Sequence, residues 1–304
     1  MEQILTDRRE RKHKMEQITL RQLINVGTKE LESVGIVEAA NDAWLLMAWV
    51  FNISRLDYLL DPETPADPDL AARYRECIKL RGENIPLQHI TGEQNFMGFS
   101  FKVNRDVLIP RQDTEVLVET VLDHIPRDGS VLDMCTGSGC ILLSIAAMAS
   151  CDCCDGADLS ERALAVAGEN EVRLRKMGNI GISGTKSPKI RWIHSDLFEN
   201  VRGRYDVIVS NPPYIPSGQI FKLMAEVRCH EPLMALDGSR DGLEFYRKIT
   251  VKAPEYLKPG GMLFFEIGWD QADAVSKLLE LAGFDQIHVK KDLAGLDRVV
   301  YGSL

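Results

Sequence analysis

From about Thr114 to Leu304, short apolar runs of strand length alternate with longer segments whose apolar residues recur at helical spacing. This alternation constrains the fold more than anything else in the chain. Strand–helix–strand repeats cover both faces of a mostly parallel sheet, and few topologies satisfy that. Strands are expected at Ser130–Met134, Cys153–Ala157, Ile190–His194, Tyr205–Ser210, Met262–Ile267, Gln286–Val289 and Val299–Tyr301. Helices are expected at Gly139–Ser150, Glu161–Arg175, Leu243–Leu257 and Gln271–Ala282. The expected fold class is therefore α/β, a doubly wound seven-stranded sheet, with ligands at the carboxyl ends of its strands.

The first third of the chain reads differently. Thr19 and Gln22 form a capping-box signature, and Leu20, Leu23, Ile24, Gly27 and Leu31 fall on one helix face before the stop at Gly35. A second helix over Val37–Phe51 is apolar on most sides, which predicts the buried centre of a small bundle. A third short helix follows Ser54. Asp67 and Pro68 open a fourth, with Leu70, Tyr74, Cys77 and Ile78 inward, ending within Gly82–Pro86. Residues 16–88 are thus expected to be a helical domain, either a packing appendage or a substrate-recognition module. "FMGFSFKVNRDVLIP" then alternates around turn-forming Asn104, predicting a β-hairpin in a linker over 89–112. The main domain follows at 113–304, and residues 1–15 read as a flexible head. "MEQI" stands at both Met1 and Met15, so either methionine could be the natural start.

The 304 residues are 45% hydrophobic and 27% charged, the balance of a globular chain. No apolar run approaches the ~20 residues that span a bilayer, and the charged start has no signal-peptide core, so a cytoplasmic protein without a membrane partner is expected. A net charge of −9 weighs against duplex nucleic acid as the main substrate, which calls for a basic face. The seven cysteines are an odd count and read as free thiols. "CDCCD" lies where a strand is expected and lacks a second Cys/His pair at ligand spacing, so no metal site is assigned.

"VLDMCTGSGCILLSIAAMA" reads as strand, tight turn and helix, in which Gly137 and Gly139 let a ligand approach backbone N–H groups. The spacing is not that of a dinucleotide site, and no phosphate-binding G-x-x-x-x-G-K-[ST] occurs. Nineteen residues after Gly139, Asp158 ends the next strand, where a carboxylate can accept from both ribose hydroxyls of a nucleoside. The third strand ends in "HSDLFEN". Asp196 there can accept from an adenine amino group, with Leu197 and Phe198 as apolar contacts, while His194 reads as a strand residue facing a helix.

The fourth strand runs into "VIVSNPPYIP". Prolines cannot donate to a ladder, so the strand must stop at Ser210 or Asn211. The asparagine side chain and the Pro212 carbonyl form two acceptors on a stiffened backbone. Such a pair can grip a planar NH₂ group, turn its lone pair toward an electrophile, and leave Tyr214 to cover it. Orientation of this kind is worth ~7–11 kcal/mol of barrier.

These motifs together resemble the S-adenosylmethionine-dependent methyltransferases, and more narrowly the HemK/PrmC family of protein-glutamine methyltransferases. "SNPPYI" is shared with amino methyltransferases of adenine in DNA and guanine in rRNA, so it speaks to reaction type, and a nucleic-acid methyltransferase is the alternative. "PLQHITGEQNFMGFSFKVNRDVLIPRQDTEVLVE", with Pro110, Arg111, Thr114 and Glu115, and the blocks "HEPLMALDGSRDGLEFYRKI", "EIGWDQADAV" and "DLAGLDRVVYG" narrow the resemblance. It implies a Rossmann-like sheet and a helical recognition domain. It implies S-adenosylmethionine as methyl donor, with S-adenosylhomocysteine as product. The implied substrate is the glutamine of the Gly-Gly-Gln loop in class-1 peptide chain release factors. Cys135, Thr136, Gly137, Ser138 and Gly139 would line the methionine end, Asp158 the ribose, and Asp196, Leu197 and Asn211 the rest of the cofactor site. Asn211, Pro212, Pro213 and Tyr214 would meet the glutamine. Cys135 stands where a glycine is commoner, Gln112 where a proline is, and Leu197 where some members carry an aromatic residue.

Overall fold

The structure is a computed structural model, and it describes residues 18–181 and 187–304. The head expected over residues 1–15 lies outside the described residues. The chain divides after Thr91 into two compact units.

The first unit holds α1 (Leu20–Ser33), α2 (Ala39–Phe51), α3 (Arg55–Leu60), α4 (Pro68–Gly82) and α5 (Leu87–Thr91). Thr19 and Gln22 form both hydrogen bonds of the capping box, and Asp67 caps the N-terminus of α4 with Pro68 in its first turn. Gly27 is required by packing, since a Cβ there would lie 2.4 Å from the Tyr74 hydroxyl, which donates to the Ala43 carbonyl. Asp42 and Arg81 form a buried ion pair at 2.7 Å between α2 and α4. α2 is the centre of the bundle, burying Ala43, Leu46, Met47 and Val50 in the core, but it is not enclosed on every side. Leu45 and Trp49 are exposed, and the Arg73 guanidinium lies 4.5 Å above the Trp49 ring. The reason is geometric: three neighbours cannot enclose a helix on every side, and Trp49 is covered by a cation instead.

The second unit opens with the hairpin β1 (Glu93–Phe96) and β2 (Phe99–Lys102). Its turn is at Met97–Gly98, both with positive φ, not at Asn104. A two-residue turn with both φ positive matches strand twist, so the glycine two residues after Phe96 determines the register. Asn104 instead makes a local turn in which its side chain accepts from the Asp106 N–H at 2.9 Å.

The main sheet contains β3 (Gly129–Met134), β4 (Cys151–Asp158), β5 (Lys189–His194), β6 (Tyr205–Ser210), β7 (Leu257–Glu266), β8 (Asp285–Lys291) and β9 (Asp297–Ser303). Its order is β5-β4-β3-β6-β7-β9-β8, parallel except where β9 runs antiparallel to both neighbours. β7 begins five residues before the apolar run that announced it. The ladder slips between Tyr205 and Val207, and the Pro259–Gly260 pair sits within that irregularity.

Helices α6 (Glu115–Leu122), α7 (Cys140–Met148), α8 (Glu161–Lys176), α9 (Ala225–His230), α10 (Leu233–Leu236), α11 (Glu244–Tyr256) and α12 (Ala272–Leu281) complete the unit. One core lies between the sheet and α6–α7, with Val131, Ile141, Leu143, Val209 and Phe264. The other lies between the sheet and α11–α12, with Leu132, Ile208, Tyr246, Phe265 and Val275. Chain order reverses beside β3, because β4 and β5 extend to one side and β6 returns to the other. That reversal opens a crevice at the carboxyl ends of the strands. Among the described residues, no helix is long and apolar enough to cross a membrane.

Candidate active site

A cavity of about 550 Å³ lies at this crevice. Met134, Cys135 and Gly137 after β3, Asp158 after β4, Asp196 and Leu197 after β5, and Asn211 and Pro213 after β6 all line it. Four consecutive parallel strands therefore contribute to one wall. The rest of the lining includes Asp106–Leu108 and the stretch from Pro232 to Ala235, with Phe245.

The loop after β3 turns through left-handed backbone at Cys135 (φ 62), Gly137 (φ 55) and Gly139 (φ 77). The two glycines have different causes. A Cβ on Gly137 would meet nothing within 4 Å, so its glycine serves the backbone conformation at the cavity wall. A Cβ on Gly139 would lie 2.8 Å from the Trp192 ring, so its glycine serves helix–sheet packing behind the wall. Thr136 and Ser138 are buried and do not face the cavity. The Thr136 hydroxyl donates to Asp133 at 2.5 Å, and the Ser138 carbonyl accepts from Asn170 at 3.0 Å. Of the five loop residues expected to meet a ligand, Cys135 and Gly137 reach the cavity and Thr136, Ser138 and Gly139 support them. Burial pushes the Asp133 carboxyl up to about 7.

Asp158 accepts from the Gly137 N–H and the Ser160 N–H, both at 2.8 Å. Burial raises its pKa, and backbone N–H groups of Ser160, Gly137 and Leu159 pull the other way. A carboxylate has about four acceptor sites, so the group still has capacity for a hydroxyl donor. Leu197 carries a positive φ of 46, which turns its side chain at the end of β5, and Phe198 stacks on Tyr256 behind it. His194 lies against the start of α8, with a ring nitrogen 3.0 Å from the Leu159 carbonyl.

Strand β6 ends at Ser210, and Asn211 and Pro213 stand on the cavity wall. Pro212 is buried, and among the described residues nothing donates to its carbonyl. Tyr214 does not line the cavity. It packs on the sheet–α11 core, and the Gln271 amide donates to its carbonyl at 3.0 Å. Burial raises its phenol. Gly242 stays bare because a Cβ would lie 2.3 Å from the Tyr214 carbonyl oxygen.

The segment Arg111–Glu115 ties the region together. Arg111 pairs with Glu231, whose side chain is 1% exposed and which precedes the Pro232 wall. The Asn211 side-chain NH₂ lies 3.4 Å from the Thr114 hydroxyl, and Glu115 accepts from the Met97 N–H at 2.6 Å in the hairpin turn. Behind Asn211 stands Glu266, 2% exposed at the end of β7. Glu266 and the stretch from Pro232 to Ala235 were not singled out as site residues from sequence. An acidic residue closing an otherwise apolar strand, and "HEPLM" with its apolar side chains on a short irregular stretch, were the available signals.

Residues 22–92 match the PrmC N-terminal domain family, and residues 112–228 match the methyltransferase small domain family. A release factor glutamine methyltransferase of Clostridium acetobutylicum is 40% identical over 264 residues, 85% of this chain and 89% of that protein. One of Geobacter sulfurreducens is 37% identical over 287 residues, 94% of this chain and 97% of that protein. Among solved structures, the hMettl16 catalytic domain in complex with an MAT2A 3'UTR hairpin is 16% identical. It has a TM-score of 0.51 over 78% of this chain and 82% of that one, a likeness of fold. Near-full-length identity of this order, in a chain whose strand ends converge on one cavity, leaves a single conclusion: the chain belongs to the release factor glutamine methyltransferase family.

Proposed function

We propose that this chain transfers a methyl group from S-adenosylmethionine to the side-chain amide nitrogen of a glutamine, that of the Gly-Gly-Gln loop in a class-1 peptide chain release factor. The observation that carries the reading is the end of β6. Asn211 stands on the cavity wall beside a buried Pro212 whose carbonyl has no donor among the described residues. The names of the relatives support the substrate.

The cavity fits the methyl donor. About 550 Å³ is room for a nucleoside with an amino-acid arm, and a buried carboxylate, a glycine that leaves open space and apolar walls meet its parts. Asp158 would hold the ribose, Asp196 and Leu197 the adenine, and Cys135 and Gly137 the methionine arm. Bound there, S-adenosylmethionine supplies an electrophilic methyl on a sulfonium sulfur.

The chain's own work is on the glutamine. An amide nitrogen is a poor nucleophile because its lone pair is delocalised into the carbonyl. The Asn211 side-chain oxygen and the Pro212 carbonyl accept its two N–H groups and fix the lone-pair direction. Pro212 and Pro213 keep that carbonyl from rotating away. Tyr214, anchored by Gln271, holds the turn from the core side. The stretch from Pro232 to Ala235 adds apolar side chains to the cavity lining. The helical domain, assigned to residues 16–88 and followed by the 89–112 linker and the 113–304 catalytic domain, takes the docking role, and the setting is cytoplasmic translation.

The purified protein should transfer labelled methyl to that glutamine in an intact cognate release factor, read by mass spectrometry of the loop peptide. Labelling of DNA or rRNA with none on the release factor would overturn the assignment.

A further inference from the structure

Asn211 can serve an NH₂-bearing substrate only if its own amide is turned the right way. A primary amide presents an acceptor on one side and two donors on the other, and the wrong face would repel the substrate N–H groups. The backbone does not choose between these faces, because the two ends of the amide are nearly isosteric. Something beside Asn211 must choose.

Three groups meet there. Thr114 is buried at the start of α6, within reach of the Asn211 NH₂. Glu266 is buried at the end of β7, one residue past the Ser210–Phe265 pair, so its carboxyl group neighbours Asn211 and Thr114. Its Oε2 is fully buried with no hydrogen-bond partner among the described residues. A buried carboxylate with an unsatisfied oxygen is costly to keep in a strand, so its presence calls for a role.

We infer that Glu266 is a positioning residue for methyl transfer: its carboxylate, with Thr114, claims the Asn211 NH₂ and so leaves the Asn211 oxygen facing the substrate. The inference rests on the proposed amide methylation and adds to it the group that selects the working face of Asn211. An ionised carboxylate has only acceptors, so it can take only the donor side of the amide. A protonated one carries an O–H that can bond the amide oxygen instead, which removes the selection.

The groups acting on Glu266 come from several elements. Arg298 on β9 favours its ionised form, and Asp113 before α6 opposes it. Tyr214, Tyr246 of α11 and Cys140 of α7 lie close enough to feel its charge. Burial outweighs the donors and lifts the carboxyl to about 7. A carboxyl raised from 4.5 to about 7 stabilises the fold below the lower value and loses that contribution as pH climbs through the higher one. The ionised form that selects the face of Asn211 is therefore the form that weakens the fold.

This opposition supplies the test. In the wild-type protein, the Asn211 side-chain ¹⁵NH₂ resonances, assigned by their loss in Asn211→Asp, should titrate with a midpoint near 7. In Glu266→Gln they should not titrate. That variant should lose roughly 10- to 100-fold in kcat with S-adenosylmethionine affinity within about twofold, and the acidic limb of its kcat profile should vanish. It should also melt higher than wild type at pH 8, where a residue serving only the fold would melt lower. Asn211 resonances that ignore pH in the wild type overturn the inference, and this readout needs no methyl acceptor and no Glu266 variant, only Asn211→Asp for the assignment. Unchanged kcat in Glu266→Gln, or an acidic limb that persists there, overturns it equally. If the wild type labels no release factor, the proposed function fails, while the resonance titration still decides the role of Glu266.

Discussion

The loops that leave β3 and β6 start one strand apart, at the same end of the same sheet, and are built in opposite ways. The β3 loop bends through three left-handed residues, Cys135, Gly137 and Gly139, and toward the cavity it offers backbone N–H groups, as where Gly137 donates to Asp158. The β6 loop is stiffened by Pro212 and Pro213, which have no N–H, and what it offers are acceptors. One loop is therefore suited to a ligand edge rich in oxygen, and the other to an NH₂ group. Adjacent strands divide the chemistry because glycine frees the backbone to turn its N–H groups toward the ligand, whereas proline fixes φ and removes the N–H.

The largest effect that could break this division is at Asn211. Asn211→Ala should cut kcat by ~10²–10³ or more, the scale of removing one aligned transition-state group. S-adenosylmethionine affinity by calorimetry should change less than threefold. A large loss of cofactor affinity would mean that the two loops do not have separate jobs. Asp158→Ala should do the converse, weakening the cofactor by roughly 10- to 100-fold through lost charge-assisted hydrogen bonds. Its kcat at saturating cofactor should be nearly kept.

The two glycines of the β3 loop sharpen the comparison from within. Gly139→Ala places a methyl 2.8 Å from Trp192 at a φ of 77 and should cost ~2–3 kcal/mol of stability, several degrees of melting temperature. Gly137→Ala has open space and should cost only about 1 kcal/mol, yet it should weaken the cofactor more than Gly139→Ala does. Equal effects of the two changes on binding would erase the distinction between a wall residue and a packing residue.

Much of this is legible in the sequence. The seven strands, the two Gly turns and the strand break at Ser210 follow from apolar runs, punctuation and the missing proline N–H, all local physics. The hairpin turn was misplaced at Asn104. Asn and Gly are both turn formers, and only pairing of Phe96 with Phe99 tells which one the strands close around. α2 looked buried on most sides for a similar reason: composition states how apolar a helix is, not how many neighbours it has.

The candidate site divides along the same line. That Asp158, Asp196 and Asn211 end successive strands can be read along the chain, because strand ends in such a sheet converge by topology. That Thr136 and Ser138 turn inward while Cys135 and Gly137 face the cavity cannot, since all five loop residues are consecutive and only their φ values separate them. Glu266 was hidden altogether. It lies 55 residues after Asn211 in the chain and meets it because β7 pairs with β6 in register, Ser210 beside Phe265. The sequence alone determined which residue types close each strand. Tertiary structure decided which of them share a buried space, because burial and charge act through distance across the sheet and not along the chain.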